Sequence, residues 1–141
     1  MTSAVDTNVL VALFTGTERE AEVAALALSD AARKGGLVIC GAVYAELLAA
    51  PNQSEAELET FLTDTKIGMD WPLDREIWSA AGRAYYGYAE RRRRQKGDAG
   101  PRRILADFVI GAHATNRTDR LLTTDPQLYQ TNFRDLELIV P

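Results

Sequence analysis

The chain has 141 residues, of which 46% are hydrophobic and 26% are charged, and its formal net charge at pH 7 is -4. This composition predicts a soluble globular protein, and residues 1–141 are enough for one domain with a substantial core. A single cysteine and a single histidine exclude an intramolecular disulfide, a cysteine-rich zinc site and a two-histidine metal site. Because no segment resembles a signal peptide or a membrane span, we expect a cytoplasmic protein with no membrane partner.

Short apolar runs alternate with longer helical patterns along the chain. This alternation favours an α/β fold in which helices cover a parallel sheet. Strands are predicted at residues 3–5, 37–40, 67–71, 120–123 and 136–140. Helices are predicted at residues 9–14, 18–34, 42–50, 54–66 and 104–116, and from Asp74 into an arginine run.

Four acidic residues occupy positions where an acid is costly to bury. Asp6 and Asp125 each follow a short apolar run, whereas Glu46 and Asp107 lie inside the apolar stretches GAVYAELLAA and ILADFVIGAHA. A carboxylate is rarely buried unless it is paired or bound to a cation, because the loss of hydration is unfavourable. Ligands of open parallel sheets bind beyond the carboxyl ends of the strands, where Asp6 and Asp125 are expected. The four acids therefore predict one site.

Each acid also has a purely structural interpretation. Asp6 and Asp125 are both placed to cap a following helix, the second of them directly before a proline. Asp107 is one turn from Arg103 and could pair with it, and Glu46 could face solvent. Considered together, the four acids favour a common site over four unrelated roles.

The residue types of this site indicate the chemistry. Carboxylates without histidine or cysteine favour Mg²⁺ or Mn²⁺ over zinc. Such ions serve phosphoryl chemistry, because they lower the pKa of a bound water and offset charge on the leaving oxygen. The sequence lacks the G-x-x-x-x-G-K-[ST] loop and the G-x-G-x-x-G fingerprint, and Asn8 interrupts the D-x-D start of aspartyl-phosphate phosphatases. The pattern predicts a metal-dependent nuclease.

The small residues, the histidine and the aromatic residues have simpler interpretations. Gly111 and Ala114 continue the helical face of Asp107, which would let that face lie close against a neighbour. His113, in an apolar helix, is predicted to be packed rather than to act as an acid–base catalyst. Five aromatic residues could stack on bases, but their helical spacing favours core or dimer packing. They are Trp71, Trp78, Tyr85, Tyr86 and Tyr88.

Four motifs, in this order, resemble those of the PIN-domain ribonucleases. They are DTNVLVALF, VYAELL, ILADFVIGAHA and LLTTDPQLYQTNF, and they span essentially the whole chain. The sequence is most similar to the VapC toxins of bacterial VapBC toxin–antitoxin modules. Its ending, DPQLYQTNFRDLELIVP, resembles VapC proteins of mycobacteria and related actinobacteria.

The resemblance implies a fold, a reaction and a set of site residues. The fold is a three-layer α/β/α sandwich around a parallel sheet of about four or five strands. The reaction is endonucleolytic hydrolysis of RNA with Mg²⁺ or Mn²⁺, leaving a 5′-phosphate and a 3′-hydroxyl. The implied metal-binding and catalytic residues are Asp6, Glu46, Asp107 and Asp125, supported through hydrogen bonds by Asn8 and Thr123.

The resemblance also implies partners. VapC toxins cut tRNA or ribosomal RNA, form homodimers and are inhibited by a cognate VapB-type antitoxin, through which the complex binds promoter DNA. Two other functions agree with the residues. One is a processing or DNA-directed nuclease with the same site, and the other is a non-catalytic binding module in which the acids are caps and salt-bridge partners.

Basic residues are concentrated in one segment. Residues 91–103 contain seven of the sixteen lysines and arginines and one acid, so the rest of the chain is strongly acidic. Such a segment can be a solvated helix end or a contact with a polyanion. We predict that its basic residues flank the acidic cleft and hold RNA phosphates. They are Arg91, Arg92, Arg93, Arg94, Lys96, Arg102 and Arg103.

Overall fold

A computed structural model describes residues 1–95, 97 and 100–141. Within this part of the chain, five short strands pair in parallel to form one sheet. The strands are β1 (Ser3–Val5), β2 (Leu37–Cys40), β3 (Ile67–Asp70), β4 (Arg120–Leu122) and β5 (Glu137–Ile139). Their spatial order is β3-β2-β1-β4-β5.

Seven helices connect the strands in the described residues, and local residues explain where several of them begin and end. Thr17, Ser54 and Asp74 each accept a hydrogen bond from a backbone amide in the first turn of the helix that follows. Lys66 adopts a left-handed conformation with φ of 59° and ends the fourth helix. The helices are α1 (Thr7–Thr15), α2 (Glu18–Lys34), α3 (Gly41–Leu48), α4 (Glu55–Thr65), α5 (Arg75–Arg94), α6 (Leu105–Arg117) and α7 (Pro126–Asn132).

Strand β1 lies at the centre of the sheet. Ala4 pairs with Val38 of β2 on one side and with Leu121 of β4 on the other. The order of the strands therefore reverses at β1, and the carboxyl ends of β1 and β4 border the crevice in which ligands of open α/β sheets bind.

The sheet and the helices bury a continuous apolar core, in a three-layer α/β/α arrangement that confirms the predicted fold class. Leu10 of α1, Leu47 of α3 and Ile110 of α6 are almost completely buried. Each such side chain contributes roughly 1.5–3 kcal/mol on removal from water. The core thus holds α1, α3 and α6, three helices that carry polar residues of the crevice.

The predicted strands are all confirmed, with ends that differ by one residue in β3, β4 and β5. Helix α1 begins at Thr7, two residues earlier than predicted, directly after the first acid of the quartet. Lys96 lies outside the described residues. Nowhere in the described chain does a helix combine the length and apolar composition needed to cross a membrane.

Candidate active site

The crevice at the carboxyl ends of β1 and β4 is lined with polar side chains from distant parts of the chain. Asp6 directly follows β1, and Asp125 follows β4 after two threonines. Asp107 lies in the first turn of α6, and Glu46 lies in α3. The fold therefore brings toward one edge of the sheet acids that the sequence separates widely.

Asp6 is the most buried of the four acids, with 5% of its surface exposed. One of its oxygens, Oδ2, accepts hydrogen bonds from the Thr123 hydroxyl at 2.8 Å, the Tyr129 hydroxyl at 3.0 Å and the Asn8 amide at 3.2 Å. Although Asp6 stands at the N-cap position of α1, its side chain makes no cap hydrogen bond. The interpretation of Asp6 as a simple helix cap is therefore wrong.

Burial, with a smaller contribution from the negative charge of Asp107, raises the pKa of Asp6 from 3.8 to about 6. The hydrogen bonds from Thr123 and Tyr129 lower this pKa but do not offset the lost hydration. The metal-free crevice is therefore an unfavourable place for this carboxylate, and a nearby cation would stabilise its ionised form.

Asp107 and Asp125 extend the acidic cluster. Burial raises the pKa of Asp107, and the charge of Asp125 acts in the same direction. Two other groups lower it, the backbone amide of Ile104, 3.3 Å from Oδ2, and the charge of Arg103. Asp6, Asp107 and Asp125 are thus close enough for their charges to interact, and we call these three residues the acidic cluster.

Asp125 forms an ion pair with the guanidinium of Arg103. Its own backbone amide donates a hydrogen bond of 3.0 Å to the Thr123 hydroxyl, and its side chain does not cap α7. Arg103 therefore pairs with Asp125, not with Asp107 as the alternative interpretation of the sequence had it.

Glu46 is held at the side of the cluster. The Thr7 hydroxyl donates a hydrogen bond of 2.6 Å to Glu46 Oε1, which joins α3 to the first turn of α1. Glu46 is partly buried, so it does not simply face solvent. Because Thr7 follows Asp6 in sequence, this contact places Glu46 next to the acidic cluster.

Two polar residues, Asn8 and Thr123, link the loops that carry the acids. The side-chain Nδ2 of Asn8 donates to Thr123 Oγ1 at 3.4 Å, and the side-chain Oδ1 of Asn8 accepts from the Thr124 backbone amide at 3.0 Å. Thr123 is fully buried and donates to Asp6. These contacts fix the carboxyl end of β4 against that of β1, and with it the separation of Asp6 and Asp125.

The donors of the crevice suit a hard divalent cation, because they are carboxylate oxygens without histidine or cysteine. Within the described residues, however, no three His, Cys, Asp or Glu side chains are arranged to hold a metal ion as they stand. The positive charge that accompanies the cluster is the guanidinium of Arg103. The carboxylates are thus the type of donor that Mg²⁺ or Mn²⁺ takes, and one of them, Asp125, is paired with Arg103.

Comparison with known proteins identifies the family. The model of the PIN-domain family matches residues 4–134. The chain belongs to the PIN-domain family. A search of the curated proteins finds no significant match.

Solved structures of bacterial VapBC and FitAcB proteins share the fold of this PIN domain. VapBC2 from Rickettsia felis, bound to a promoter DNA fragment, matches with a TM-score of 0.66 and 16% identity, over 99% of this chain and 98% of the other. VapBC-1 from nontypeable Haemophilus influenzae matches with a TM-score of 0.67 and 18% identity, over 99% of this chain and 98% of the other. FitAcB from Neisseria gonorrhoeae gives 0.57 and 18%, over 97% of this chain and 96% of the other.

Tyr129 is a residue of this PIN domain's crevice that the sequence analysis missed. It is fully buried in α7, and its hydroxyl donates to the same Asp6 oxygen as Thr123. Burial and the charge of Asp6 raise the pKa of Tyr129, so the hydroxyl stays protonated and remains a donor. The available signal was its spacing, since Tyr129 is four residues after Asp125 and so lies on the same face of α7.

We expect Tyr129→Phe to destabilise the PIN domain by about 1–2 kcal/mol at neutral pH, because a hydrogen bond to a buried carboxylate is lost. At about pH 4 the Asp6 carboxyl is protonated, so the lost bond is a weaker neutral one and the destabilisation should be smaller. Urea unfolding at both pH values measures the difference. An equal loss at both would show that the hydroxyl does not act on the ionised carboxylate.

The basic segment of the PIN domain divides into parts with different surroundings. Arg93 and Arg94 pair with Glu90 on the outer side of α5. Arg91 donates to Asn132 of α7, whereas Arg92 donates to the carbonyl oxygens of Gly100 and Pro101 at 3.1 and 3.4 Å. Arg102 is exposed. Some of the arginines that were predicted to flank the crevice therefore lie away from it.

A polar cavity of about 270 Å³ lies between α5, α7 and the loop before α6. Arg91, Arg92 and Arg103 line it, together with polar groups of α7 such as Gln127 and Asn132. Because Arg103 lines the cavity and also pairs with Asp125, the cavity lies beside the acidic cluster. Its cationic lining is of the kind that attracts phosphate groups.

The aromatic residues and the histidine of the PIN domain lie in different surroundings. Tyr85 and Tyr88 pack against Phe108, which confirms core packing for those two. His113 is buried as predicted, and its Nε2 is 3.1 Å from Asp70. Core packing is not found for the other three residues, which are more than half exposed, and dimer packing stays a prediction for them. They are Trp71, Trp78 and Tyr86.

Proposed function

We propose that this PIN domain is a VapC-type toxin, a Mg²⁺- or Mn²⁺-dependent endoribonuclease that cleaves tRNA or ribosomal RNA and so inhibits translation. The observation that carries the proposal is the acidic cluster itself. Three interacting carboxylates converge at the switch point of the sheet, and the pKa of the most buried one is raised to about 6. Such a cluster is costly without a cation and fits the chemistry of the PIN family.

Each residue of the crevice has a role in this proposal. Asp6, Asp107 and Asp125 would hold the metal directly or through water, and Glu46 would orient the attacking water. A bound divalent ion would supply a water of lowered pKa and would offset charge on the leaving oxygen. Asn8, Thr123 and Tyr129 hold Asp6 and the Asp125 loop in place. Hydrolysis would leave a 5′-phosphate and a 3′-hydroxyl.

The partners proposed are RNA, an antitoxin and a second copy of the chain. Support for the antitoxin comes from the matched structures, which are VapBC and FitAB-type complexes, three of them bound to DNA. We propose a VapB-type antitoxin that inhibits the chain, promoter DNA that is bound only through the antitoxin, and a homodimer. The acidic cluster offers a place where a cationic antitoxin side chain would be attracted.

The deciding experiment is cleavage of total tRNA and ribosomal RNA by the purified, antitoxin-free protein. Reactions with Mg²⁺, with Mn²⁺ and with EDTA are compared, beside an Asp6→Asn control. We expect discrete fragments that require metal and are absent with the variant. Intact RNA under every metal condition, from protein that circular dichroism shows to be folded, would contradict the proposal. Growth arrest on expression without an antitoxin separates a toxin from a processing nuclease.

We further propose that the arginines of the cavity hold RNA phosphates. For the double variant Arg91→Gln with Arg103→Gln, we expect weaker RNA binding and a salt dependence whose slope falls by about 1.4, because each of the two lost phosphate contacts removes roughly 0.7 from the slope for a single strand. Fluorescence anisotropy at a series of salt concentrations measures it.

The matched control for this prediction is Arg19→Gln with Arg33→Gln. Both residues lie in α2, and Arg33 is in the last turn, at the opposite edge of the sheet from the crevice. The control removes the same charge as the double variant but takes it from α2 and not from the cavity. The slope should therefore stay close to that of the unchanged protein. A slope that falls equally in both variants would show a general charge effect and no phosphate site in the cavity.

A further inference from the structure

Arg103 is the residue whose position the proposed function does not fully explain. Its guanidinium pairs with Asp125, and its charge also lowers the pKa of Asp107. A permanent cation therefore lies among the carboxylates that are proposed to bind a metal. As long as this pair persists, Asp125 has one fewer oxygen to offer to an ion.

The backbone of Arg103 is fixed independently of its guanidinium. Its amide donates a hydrogen bond of 2.7 Å to the Tyr88 hydroxyl. Arg92 donates to that same hydroxyl at 3.3 Å and to the carbonyl oxygens of Gly100 and Pro101. Helix α5 thus anchors the loop at the base of Arg103, so the side chain can change partner without movement of the loop.

A second place for the guanidinium is provided by the polar cavity. Arg103 lines it together with Arg91, Arg92 and Asn132. The side chains of Arg103 and Asp125 are 23% and 35% exposed, so water reaches their ion pair. An arginine fork binds a phosphate through two parallel hydrogen bonds as readily as it binds a carboxylate.

We propose that Arg103 is an exchangeable counter-ion. In the metal-free protein it neutralises Asp125, and when a divalent cation is bound it turns into the cavity and contacts a phosphate of the RNA strand. This inference rests on the proposed nuclease function. It adds an order of binding, since metal must displace Arg103 from Asp125 before Arg103 can hold RNA. Arg103 is in this sense a positioning residue that couples the two ligands.

The inference predicts that loss of the Arg103 guanidinium changes the Mn²⁺ affinity and the RNA affinity in opposite directions. Without the guanidinium, Asp125 is free for metal, so Arg103→Gln should bind Mn²⁺ about fivefold more tightly. The same variant should bind RNA more weakly, by roughly tenfold, when Mn²⁺ is present. In EDTA the RNA affinities of the two proteins should be nearly equal, because Arg103 is then occupied by Asp125.

Isothermal titration calorimetry measures the Mn²⁺ affinity. Fluorescence anisotropy with a short labelled single-stranded RNA measures the RNA affinity. A denaturing gel must show that the RNA stays intact during the titration. Arg103→Lys is the second variant, which keeps the charge and loses the fork, and should fall between the other two proteins in both assays. Arg33→Gln is the control, because it breaks a surface pair with Asp30 on the opposite edge and should change neither affinity.

The outcomes separate this inference from the proposed function. Equal Mn²⁺ affinities for the unchanged protein and Arg103→Gln would overturn the exchange and leave the metal-dependent nuclease intact. Weaker Mn²⁺ binding in the variant would also overturn it, since Arg103 would then support the metal site. Absence of Mn²⁺ binding in every protein would overturn both proposals. RNA affinity lost equally in Mn²⁺ and in EDTA would show that Arg103 contacts RNA without exchange.

Discussion

Replacement of Asp6 by asparagine should stabilise the metal-free protein while it abolishes cleavage. The pKa of Asp6 is about 6 in the folded protein, whereas its ordinary value is 3.8. The folded state therefore binds the proton more tightly, and stability falls as pH rises from about 4 to about 6. Above this window the ionised carboxylate costs about 3 kcal/mol. The asparagine side chain would carry no charge and would still accept hydrogen bonds from Thr123 and Tyr129.

Thermal unfolding in EDTA measures this effect. At neutral pH we expect Asp6→Asn to be more stable than the unchanged protein by about 1–3 kcal/mol, and at about pH 4 the difference should vanish. Added Mn²⁺ should stabilise the unchanged protein, more at neutral than at acid pH, and should have little effect on the variant. RNA cleavage should fall by at least about a hundredfold. If the variant were less stable than the unchanged protein at neutral pH, the prediction would be wrong, and Asp6 would have a purely structural role.

Replacement of Gly111 by alanine should destabilise the protein by about 2 kcal/mol. Gly111 is buried in α6, and a Cβ there would lie 2.2 Å from the Phe133 ring, closer than two carbons approach. The ring is packed near Phe108 and Tyr129, so it cannot move without cost. Displacement of α6 relative to α7 would also change the distance between their first turns.

Gly82 provides the matched control for this prediction. It lies inside α5, and a Cβ there would meet nothing within 4 Å. Gly82→Ala should therefore stabilise the protein by up to about 1 kcal/mol, through helix propensity alone. Urea unfolding of both variants gives opposite signs if packing against Phe133 is the cause. Addition of Phe133→Leu to Gly111→Ala should restore part of the loss, and a failure to do so would point to a different cause.

The strands and the positions of the acids were predictable because their causes are local. A buried parallel strand is a short apolar run, and Asp6 and Asp125 directly follow such runs or lie shortly beyond them. The close packing at Gly111 was also indicated, because a helical face of small residues admits a neighbour. These features depend on residues close in sequence.

The contacts that organise the crevice were not predictable in the same way. Helical spacing suggested that Arg103 would pair with Asp107, but α6 begins only at Leu105, so Arg103 lies outside the helix and its side chain reaches Asp125. The hydroxyl of Tyr129 reaches Asp6 because α7 packs near the end of β1. No periodicity encodes that distance. The bond from Thr7 to Glu46 depends likewise on how α1 lies against α3.

The central place of β1 determines when the crevice can exist during synthesis. Strand β1 can pair with β2 early in synthesis, but its other neighbour, β4, is made only after helices α1 to α6. Thr123, Asp125 and Tyr129, which complete the surroundings of Asp6, follow later still. A chain that has not yet been extended past β4 therefore holds only part of the crevice. Until α7 has been translated, Asp6 therefore lacks the Thr123 and Tyr129 hydroxyls that donate to it in the folded protein.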